Sequence, residues 1–179
     1  MTLYKDVPKP GSDCLQNRLG GDVYKFLLQS PHNDDFLSDY EYLSKNVKPG
    51  AGAWQLSDYS SFVLPLVKFY ENSLWLVCEE MGLFSQLNDG KRPSNLRSFV
   101  YSKESEIKNL IDSKIANQHD AGKVHRKLFS VIDDYDKRNE AVYCGELLTY
   151  SGLSNYDSLI TTLKELVEIL FENSLLSKK

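Results

Sequence analysis

Arg138 is the residue whose type and position most directly suggest chemistry. It lies three residues after Tyr135 and four before Val142, on the apolar stripe of an amphipathic helix that the spacing predicts within residues 123–145. A guanidinium on such a stripe needs an anion or several hydrogen-bond acceptors, because burying an unpaired charge is costly. Two interpretations stay open: a structural ion pair with a carboxylate of another helix, for which Glu71 is the candidate, or a site that binds phosphate or another anion.

A cluster of basic residues accompanies Arg138 along the same helix. Its members are Lys123, Arg126, Lys127, Lys137 and Arg138, and the acidic residues Asp133, Asp134, Asp136 and Glu140 lie among them. The formal net charge of the chain is −4, so the protein as a whole does not attract nucleic acid or anionic lipid. Any contact with RNA must come from this local cluster, whose other interpretation is a solvated helix face of mixed charge.

The histidine and cysteine residues do not form a recognisable metal or catalytic pattern. None of the three histidines lies three or four residues from another, and the three cysteines lack CxxC spacing. The short motifs of P-loops, dinucleotide-binding turns, zinc proteases and serine hydrolases do not occur. We therefore expect no metal and no cofactor, and we interpret His125 as a surface histidine without a chemical role.

The first residues and the apolar segments favour a cytoplasmic protein. The N-terminal sequence lacks the basic and apolar regions of a signal peptide, and charged residues such as Lys68, Glu79 and Glu80 interrupt the longest apolar stretch, residues 62–84. An odd number of cysteines without a disulfide pattern fits a reducing compartment. We expect no membrane contact.

Helical periodicity recurs along the chain, and no stretch keeps the period of two that marks strands. The 179 residues, of which 41% are hydrophobic, can bury a real core. The sequence therefore predicts an all-α bundle of about five to six helices, with the strongly apolar residues 62–81 as its central helix. Residues 1–50 are interpreted as an N-terminal arm with short helices that pack on the bundle, and residues 51–179 as the main helical domain, the two forming one compact domain.

Local signals predict where individual helices begin and break. The Gly20-Gly21 pair predicts a break in the first helix, because glycine lowers helix stability by about 1 kcal/mol per residue. Ser102 is expected to cap a helix over residues 103–115, and Asp120 is expected to cap the helix that leads to Arg138.

The order of these elements resembles a HEPN domain, in which a long arginine-bearing helix is followed by a loop and one final amphipathic helix. The signature of that family is an arginine, usually followed by Asn, His or Asp, and then a histidine about five positions later. Arg138 and Asn139 match the first two positions, and Tyr143 stands where the histidine is expected. Residues 62–84 are also similar to the preceding helix of RNase LS-type bacterial toxins, and the resemblance covers about residues 55–175.

The resemblance implies a metal-independent ribonuclease of a toxin–antitoxin or phage-defence system. In that chemistry the 2′-hydroxyl attacks the adjacent phosphate, a cationic fork stabilises the developing charge, and an imidazole moves the proton. By resemblance Arg138 holds the scissile phosphate, Asn139 orients neighbouring groups and Tyr143 takes the acid/base place. The residues expected to bind RNA are Lys123, Arg126, Lys127 and Lys137. The partners implied are a second copy of the chain, RNA and an antitoxin protein.

Tyr143 is the departure from the family pattern. A tyrosine with the ordinary pKa of about 10 donates a proton at neutral pH but seldom accepts one. Three accounts are open: a non-catalytic member that keeps the fold for binding, a variant in which tyrosine replaces histidine and is tolerated during expression of a toxic enzyme, or a second chain that supplies His125. Within one helix His125 would lie about 20 Å from Arg138.

A second hypothesis belongs to a different class of protein. The chain would be a non-catalytic helical module that dimerises and binds a protein partner through exposed aromatic side chains such as Trp54, Tyr59 and Tyr101. A requirement for a stoichiometric protein partner would distinguish this module from a nuclease.

Overall fold

The computed structural model describes residues 13–46, 60–134 and 153–178. Nine helices and no strand occur in these ranges. They are α1 (Asp13–Leu19), α2 (Gly21–Leu27), α3 (Asn33–Asn46), α4 (Ser60–Glu80), α5 (Leu83–Leu87), α6 (Leu96–Ser102), α7 (Glu104–Lys114), α8 (Gln118–Asp133) and α9 (Leu153–Glu172). The predicted all-α class is confirmed, and the described chain divides into more and shorter helices than the five to six expected.

The glycine pair breaks the first helix, as predicted. Gly20 has a φ of +83°, a conformation that residues with a side chain rarely adopt, and α2 begins at the next residue. Leu19 before the break and Leu27 after it are both fully buried. Because α1 and α2 both contact α9, the first helices of the chain pack on the last one.

The predicted central helix corresponds to α4, which packs against α3, α5 and α9. Its buried face includes Phe69, Leu74 and Cys78, none of which exposes any surface. Burying one large apolar side chain contributes about 1.5–3 kcal/mol, so this face is a major source of stability. Glu79 and Glu80 at the end of the helix are exposed.

The sequence predicts the buried stripe of α8 correctly for the part that the structure describes. Val124, Leu128, Val131 and Ile132 are all fully buried. The prediction for the start of the helix was wrong: α8 begins at Gln118, and the side chain of Asn117 caps it by accepting a hydrogen bond from the backbone N–H of His119 at 2.9 Å. Asp120 therefore lies in the first turn, where its negative charge interacts favourably with the positive end of the helix dipole.

Two short helices, α5 and α6, lie between the predicted central helix and the predicted helix over residues 103–115, and the sequence patterns predict neither of them. The side chain of Asn95 caps α6 by accepting from the backbone N–H of Ser98 at 2.8 Å. Ser102 belongs to the end of α6, where its hydroxyl donates to the carbonyl of Phe99 at 2.9 Å. The prediction that Ser102 caps α7 was therefore wrong, because Lys103 precedes that helix without a side-chain cap.

The last helix, α9, packs against α4 and α8. Its buried residues recur at helical spacing: Leu159, Ile160, Leu163, Leu166, Val167 and Leu170. Within the three described ranges, no helix combines the length and the apolar character needed to cross a membrane.

Candidate functional site

The site predicted from the sequence follows the end of α8 in the chain. The predicted site residues that lie outside the described ranges are Lys137, Arg138, Asn139 and Tyr143. Asp134 is the last described residue before them, and Arg138 follows it by four positions. The described groups around the end of α8 are those nearest to the predicted site residues along the chain.

Tyr70 of α4 holds the last turn of α8 from inside the protein. Its hydroxyl donates a hydrogen bond of 2.8 Å to the backbone carbonyl of Val131, and Tyr70 is only 2% exposed. The bond therefore gives a carbonyl in the last described turn of α8 a donor from another helix. Burial raises the pKa of Tyr70 far above its ordinary value, and the charge of Asp134 adds to the shift.

Arg97, Tyr101 and Asp133 hold the same end of α8 from the surface, and we call them the Asp133 cluster. The hydroxyl of Tyr101 donates to a carboxylate oxygen of Asp133, and a guanidinium nitrogen of Arg97 lies 3.6 Å from that oxygen. The guanidinium carbon of Arg97 is 5.4 Å from the centre of the Tyr101 ring. The cluster therefore joins α6 to the end of α8 through the carboxylate of Asp133, which accepts a hydrogen bond from Tyr101 and forms an ion pair with Arg97.

Asp133 also affects the protonation of Tyr101. The hydrogen bond from Tyr101 to Asp133 is the largest cause of the raised pKa of Tyr101, ahead of burial and of the negative charge of Asp133, whereas Arg97 opposes the shift. Tyr101 is therefore a proton donor at neutral pH. It is 40% exposed, as predicted. The other two aromatic residues predicted to face solvent, Trp54 and Tyr59, lie outside the described residues.

The patterns in the sequence do not identify Arg97 as a site residue. It precedes Tyr101 by four positions, the spacing that places two side chains on one helix face. This spacing can be read from the sequence, but it is informative only if residues 97–101 form a helix, and the sequence did not predict α6. Asp133 lies 36 positions after Arg97 in the chain. Only the fold brings the three residues together.

His125 is mostly buried, so its interpretation as a surface histidine was wrong. Its side chain is 18% exposed, and its ring centre lies 4.5 Å from that of Phe129. The Nε2 atom is 4.0 Å from a carboxylate oxygen of Glu104. Burial lowers the pKa of His125, and the charge of Glu104 partly opposes this. The imidazole is thus held neutral as a packing group between α7 and α8.

A shallow groove between α8 and α9 contains the described part of the basic cluster. Its volume is about 420 Å³, and its lining consists of Lys123, Arg126, Lys127, Ser130, Glu165 and Ile169. Lys127 forms an ion pair with Glu165 across the groove, and Lys123 lies 3.4 Å from Asp120. Among the described residues, Arg126 has no carboxylate within ion-pair distance. Internal acids therefore compensate much of the positive charge of this groove.

Glu71, the carboxylate predicted as a partner of Arg138, lies in α4 next to Tyr70. Its side chain is 17% exposed, and one carboxylate oxygen lies 3.7 Å from the ammonium of Lys68. Arg138 lies outside the described residues, so its pairing with Glu71 stays a prediction.

A second cavity, of about 520 Å³, lies where α1, α2 and α9 meet. Asp22, Glu168 and Glu172 line it, and Lys178 lies in it, 3.0 Å from Asp22 and 5.6 Å from the centre of the Phe171 ring. This predominantly acidic lining does not suit a phosphate. Within the described part of the chain, no three His, Cys, Asp or Glu side chains are grouped to hold a metal ion.

Comparison with known proteins does not assign this chain to a family. No protein-family model matches the sequence, and neither a curated protein nor a solved structure is significantly similar to it. The functional interpretation therefore depends on the contacts around α8 and on the motif in residues 138–143.

Proposed function

We propose that this protein is a HEPN-like ribonuclease, or a close derivative of one, that acts as a dimer in a toxin–antitoxin or phage-defence system. The observation that carries the proposal is the pair Arg138-Asn139, which follows the end of α8 within six residues and precedes one final amphipathic helix, α9. In the family that the sequence resembles, a long arginine-bearing helix is likewise followed by a loop and one final amphipathic helix.

The buried stripe of α8 supports this proposal. Val124, Leu128 and Ile132 are fully buried, as expected of the helix that leads to the arginine of the motif. Tyr70 and Tyr101 both hold the end of this helix, so the chain that continues toward Arg138 starts from a fixed point. A catalytic group must be held within a fraction of an ångström of its productive position, which requires such anchoring.

The proposed reaction is an internal transesterification of RNA. The 2′-oxygen forms a bond to phosphorus while the bond from phosphorus to the 5′-oxygen breaks, which leaves a 2′,3′-cyclic phosphate and a 5′-hydroxyl. Arg138 stabilises the charge that develops on the phosphoryl oxygens, because its planar fork matches two of them. The proton of the 2′-hydroxyl passes to solvent water, and Tyr143, protonated at neutral pH, donates a proton to the leaving 5′-oxygen and regains one from solvent.

The basic groove supplies contacts to the rest of the RNA. Lys123, Arg126 and Lys127 line it, and Lys137 follows in the chain toward the motif. Since Glu165 and Asp120 pair with two of these lysines, binding requires that phosphates compete with carboxylates. We therefore expect weak binding that falls steeply with salt concentration. The dimer would place two such grooves beside one cleft and so raise the local positive charge.

A change of Tyr143→His tests the proposal most directly. Because an imidazole accepts and donates protons near neutral pH, this variant should cleave total RNA in the presence of a metal chelator more strongly than the wild type. Adding Arg138→Ala to it should abolish the cleavage, whereas Arg92→Ala is the matched control, because Arg92 belongs to neither the motif nor the basic cluster and pairs with Glu79. Growth arrest on expression provides a cellular measurement of the same activity.

One result would remove the nuclease proposal. If the wild type and the Tyr143→His variant form dimers in light scattering and both leave RNA intact, the chain is not a ribonuclease of this type. The helical interaction module then remains, and its test is a stoichiometric protein partner in pull-down experiments.

A further inference from the structure

Cations dominate the described lining of the groove between α8 and α9. Of its six residues, three carry a positive charge and one carries a negative charge, although the formal net charge of the chain is −4. Lys123 and Lys127 lie one helical turn apart, about 6 Å along α8, with Arg126 between them in the chain. Like charges at this spacing destabilise a helix. An anion that binds in the groove relieves this repulsion.

Arg126 is the open cation of the groove. Its side chain is exposed, and among the residues that the structure describes no carboxylate pairs with it. A guanidinium nitrogen of Arg126 lies 3.6 Å from the place that a Cβ atom at Gly122 would take, so the side chain turns back along α8 over a residue without a side chain. The planar fork of an arginine matches two oxygens of one phosphate. Arg126 can therefore bind a phosphate without first losing an internal partner.

Lys127 is the closed cation of the groove. Its ammonium donates a hydrogen bond to a carboxylate oxygen of Glu165, and the two charges form an ion pair between α8 and α9. The side chain of Lys127 is 24% exposed, whereas that of Glu165 is 55% exposed. Because water reaches the carboxylate, this pair contributes little to stability. The carboxylate can thus leave Lys127 at small cost, but while it stays it withholds the ammonium from a phosphate.

Glu165 is the one carboxylate in the described lining of the groove. Asp120, which pairs with Lys123, precedes it within α8 and is not among the described lining residues. A negative charge at position 165 therefore acts on the groove in two ways: it occupies Lys127, and it repels an incoming anion. Without this charge, the described lining would carry three positive charges and no negative one.

We infer that Glu165 is an internal competitor that sets the affinity of this groove for RNA phosphates. Arg126 is the contact that is open in the free protein, and Lys127 becomes a further contact only when Glu165 releases it. This inference rests on the function proposed above, and it adds an order among the contacts and a residue that regulates them. None of these three residues takes part in the bond changes.

The first test measures binding to a single-stranded 2′-O-methyl oligonucleotide, which cannot be cleaved, by fluorescence anisotropy at several salt concentrations. Arg126→Ala should weaken binding about tenfold, the loss expected for one charge-assisted contact. It should also reduce the salt slope by about 0.7, the value for one phosphate contact to a single strand. The matched control Arg92→Ala should change neither quantity, and equal binding by the two variants overturns the inference.

Glu165→Gln tests the competitor itself. The variant should bind the oligonucleotide several-fold more tightly than the wild type, and its salt slope should increase by about 0.7, because Lys127 gains a phosphate contact. Glu168→Gln is the matched control: it makes the same change of charge on α9, but Glu168 lines the other cavity and pairs with Lys164. The control should bind with the wild-type salt slope. A gain as large in Glu168→Gln would reflect net charge alone and overturns the inference.

Two other roles of Glu165 predict different results. If Glu165 acts only by repulsion, the gain of Glu165→Gln persists when Lys127→Gln is added; if it acts by withholding Lys127, the double variant loses the gain. If the ion pair only joins α8 to α9, Glu165→Gln lowers the melting temperature and leaves binding unchanged. Persistence of the gain, or unchanged binding, overturns the inference.

An acidic protein segment is the other class of ligand that a basic groove could bind. Polyglutamate is the probe for it, used as a competitor of the labelled oligonucleotide at equal concentration of negative charges. Because arginine prefers the fork geometry of phosphate, polyglutamate should displace little of the oligonucleotide. Complete displacement at equal charge would assign the groove to acidic proteins and overturns the inference.

The failures of the inference and of the proposed function are distinguishable. If Tyr143→His cleaves RNA but Glu165→Gln binds the oligonucleotide as the wild type does, the inference is overturned and the nuclease stands. If Arg126→Ala weakens binding and Glu165→Gln strengthens it while no variant cleaves RNA, the inference is supported and the nuclease is overturned. If neither the wild type nor Glu165→Gln binds the oligonucleotide, the inference is overturned whatever the result of the cleavage assay.

Discussion

Tyr70 and Tyr101 hold the same turn of α8 from opposite sides, one in the core and one at the surface. Tyr70 is 2% exposed and donates to a backbone carbonyl, whereas Tyr101 is 40% exposed and donates to a carboxylate. A buried acceptor that loses its donor costs about 1–3 kcal/mol, while an exposed one finds water instead. The inner contact is therefore part of the fold, and the outer contact can be rearranged with little loss of stability.

The difference explains how one helix end can be both fixed and adaptable. The inner bond determines where the chain leaves α8, because Val131 cannot move without losing its partner. The outer contact between Arg97 and Asp133 is partly exposed, so water can reach it. Proteins commonly place binding groups on such surface positions and support them with a rigid interior.

The largest expected effect is that of Tyr70→Phe on stability. The variant removes the hydroxyl and leaves the carbonyl of Val131 buried without its donor. We expect the free energy of unfolding to fall by about 1–3 kcal/mol. Chemical denaturation at neutral pH measures this, and a loss as small as that of Tyr101→Phe would contradict the assignment of Tyr70 as the inner anchor.

Alkaline pH should act through the same residue. Burial raises the pKa of Tyr70, so the folded state keeps a proton that the unfolded state releases above about pH 10. Because the folded state then binds more protons, the free energy of unfolding falls as the pH rises, by up to about 1.4 kcal/mol per pH unit. Between about pH 9 and about pH 11 the free energy of unfolding should fall more in the wild type than in Tyr70→Phe. An equal fall in the two proteins would contradict the assignment of this effect to Tyr70.

Much of the interior could be predicted from the sequence, because burial in helices follows a simple period. The break at Gly20-Gly21 and the buried stripe of α8, including Val124 and Leu128, agree with the structure. The helix starts were predicted less well. Asn117 and Asp120 are both suitable capping residues three positions apart, and only the backbone geometry decides that Asn117 has the cap position.

The polar contacts of the candidate site could not be predicted in the same way. The Asp133 cluster joins residues 97, 101 and 133, which share no period and lie on two helices. Since α6 has only seven residues, its pattern is too short to stand out from a loop. The motif at Arg138-Asn139 is visible in the sequence alone, and whether Glu71 pairs with that arginine stays a prediction.

Tyr101→Phe should have a small effect on stability. It removes the outer hydrogen bond but leaves Arg97 beside Asp133, and water can replace the lost donor. We expect a loss of about 0.5 kcal/mol in chemical denaturation. A loss above about 2 kcal/mol would mean that the outer contact is as important to the fold as the inner one.

The smallest effect concerns His125, whose ring packs on Phe129 and through it on Tyr101. Burial lowers the pKa of His125, so the unfolded state binds a proton at about pH 6.5 and the folded state only at lower pH. The free energy of unfolding should therefore fall as the pH drops from about 6.5 through the lower folded pKa. His125→Phe should remove this part of the pH dependence. Chemical denaturation of both proteins at about pH 7.5 and about pH 5.5 measures it, and an equal change in the free energy of unfolding in the two proteins would contradict the prediction.

Cys78 gives the core of α4 a built-in chemical probe. Its sulfur exposes no surface, and burial raises the pKa of its thiol to about 12. Alkylating reagents attack the thiolate, so the folded protein should leave this sulfur unmodified. Peptide mass spectrometry of Cys78 after timed alkylation would then measure the rate of the unfolding events that expose the core face of α4.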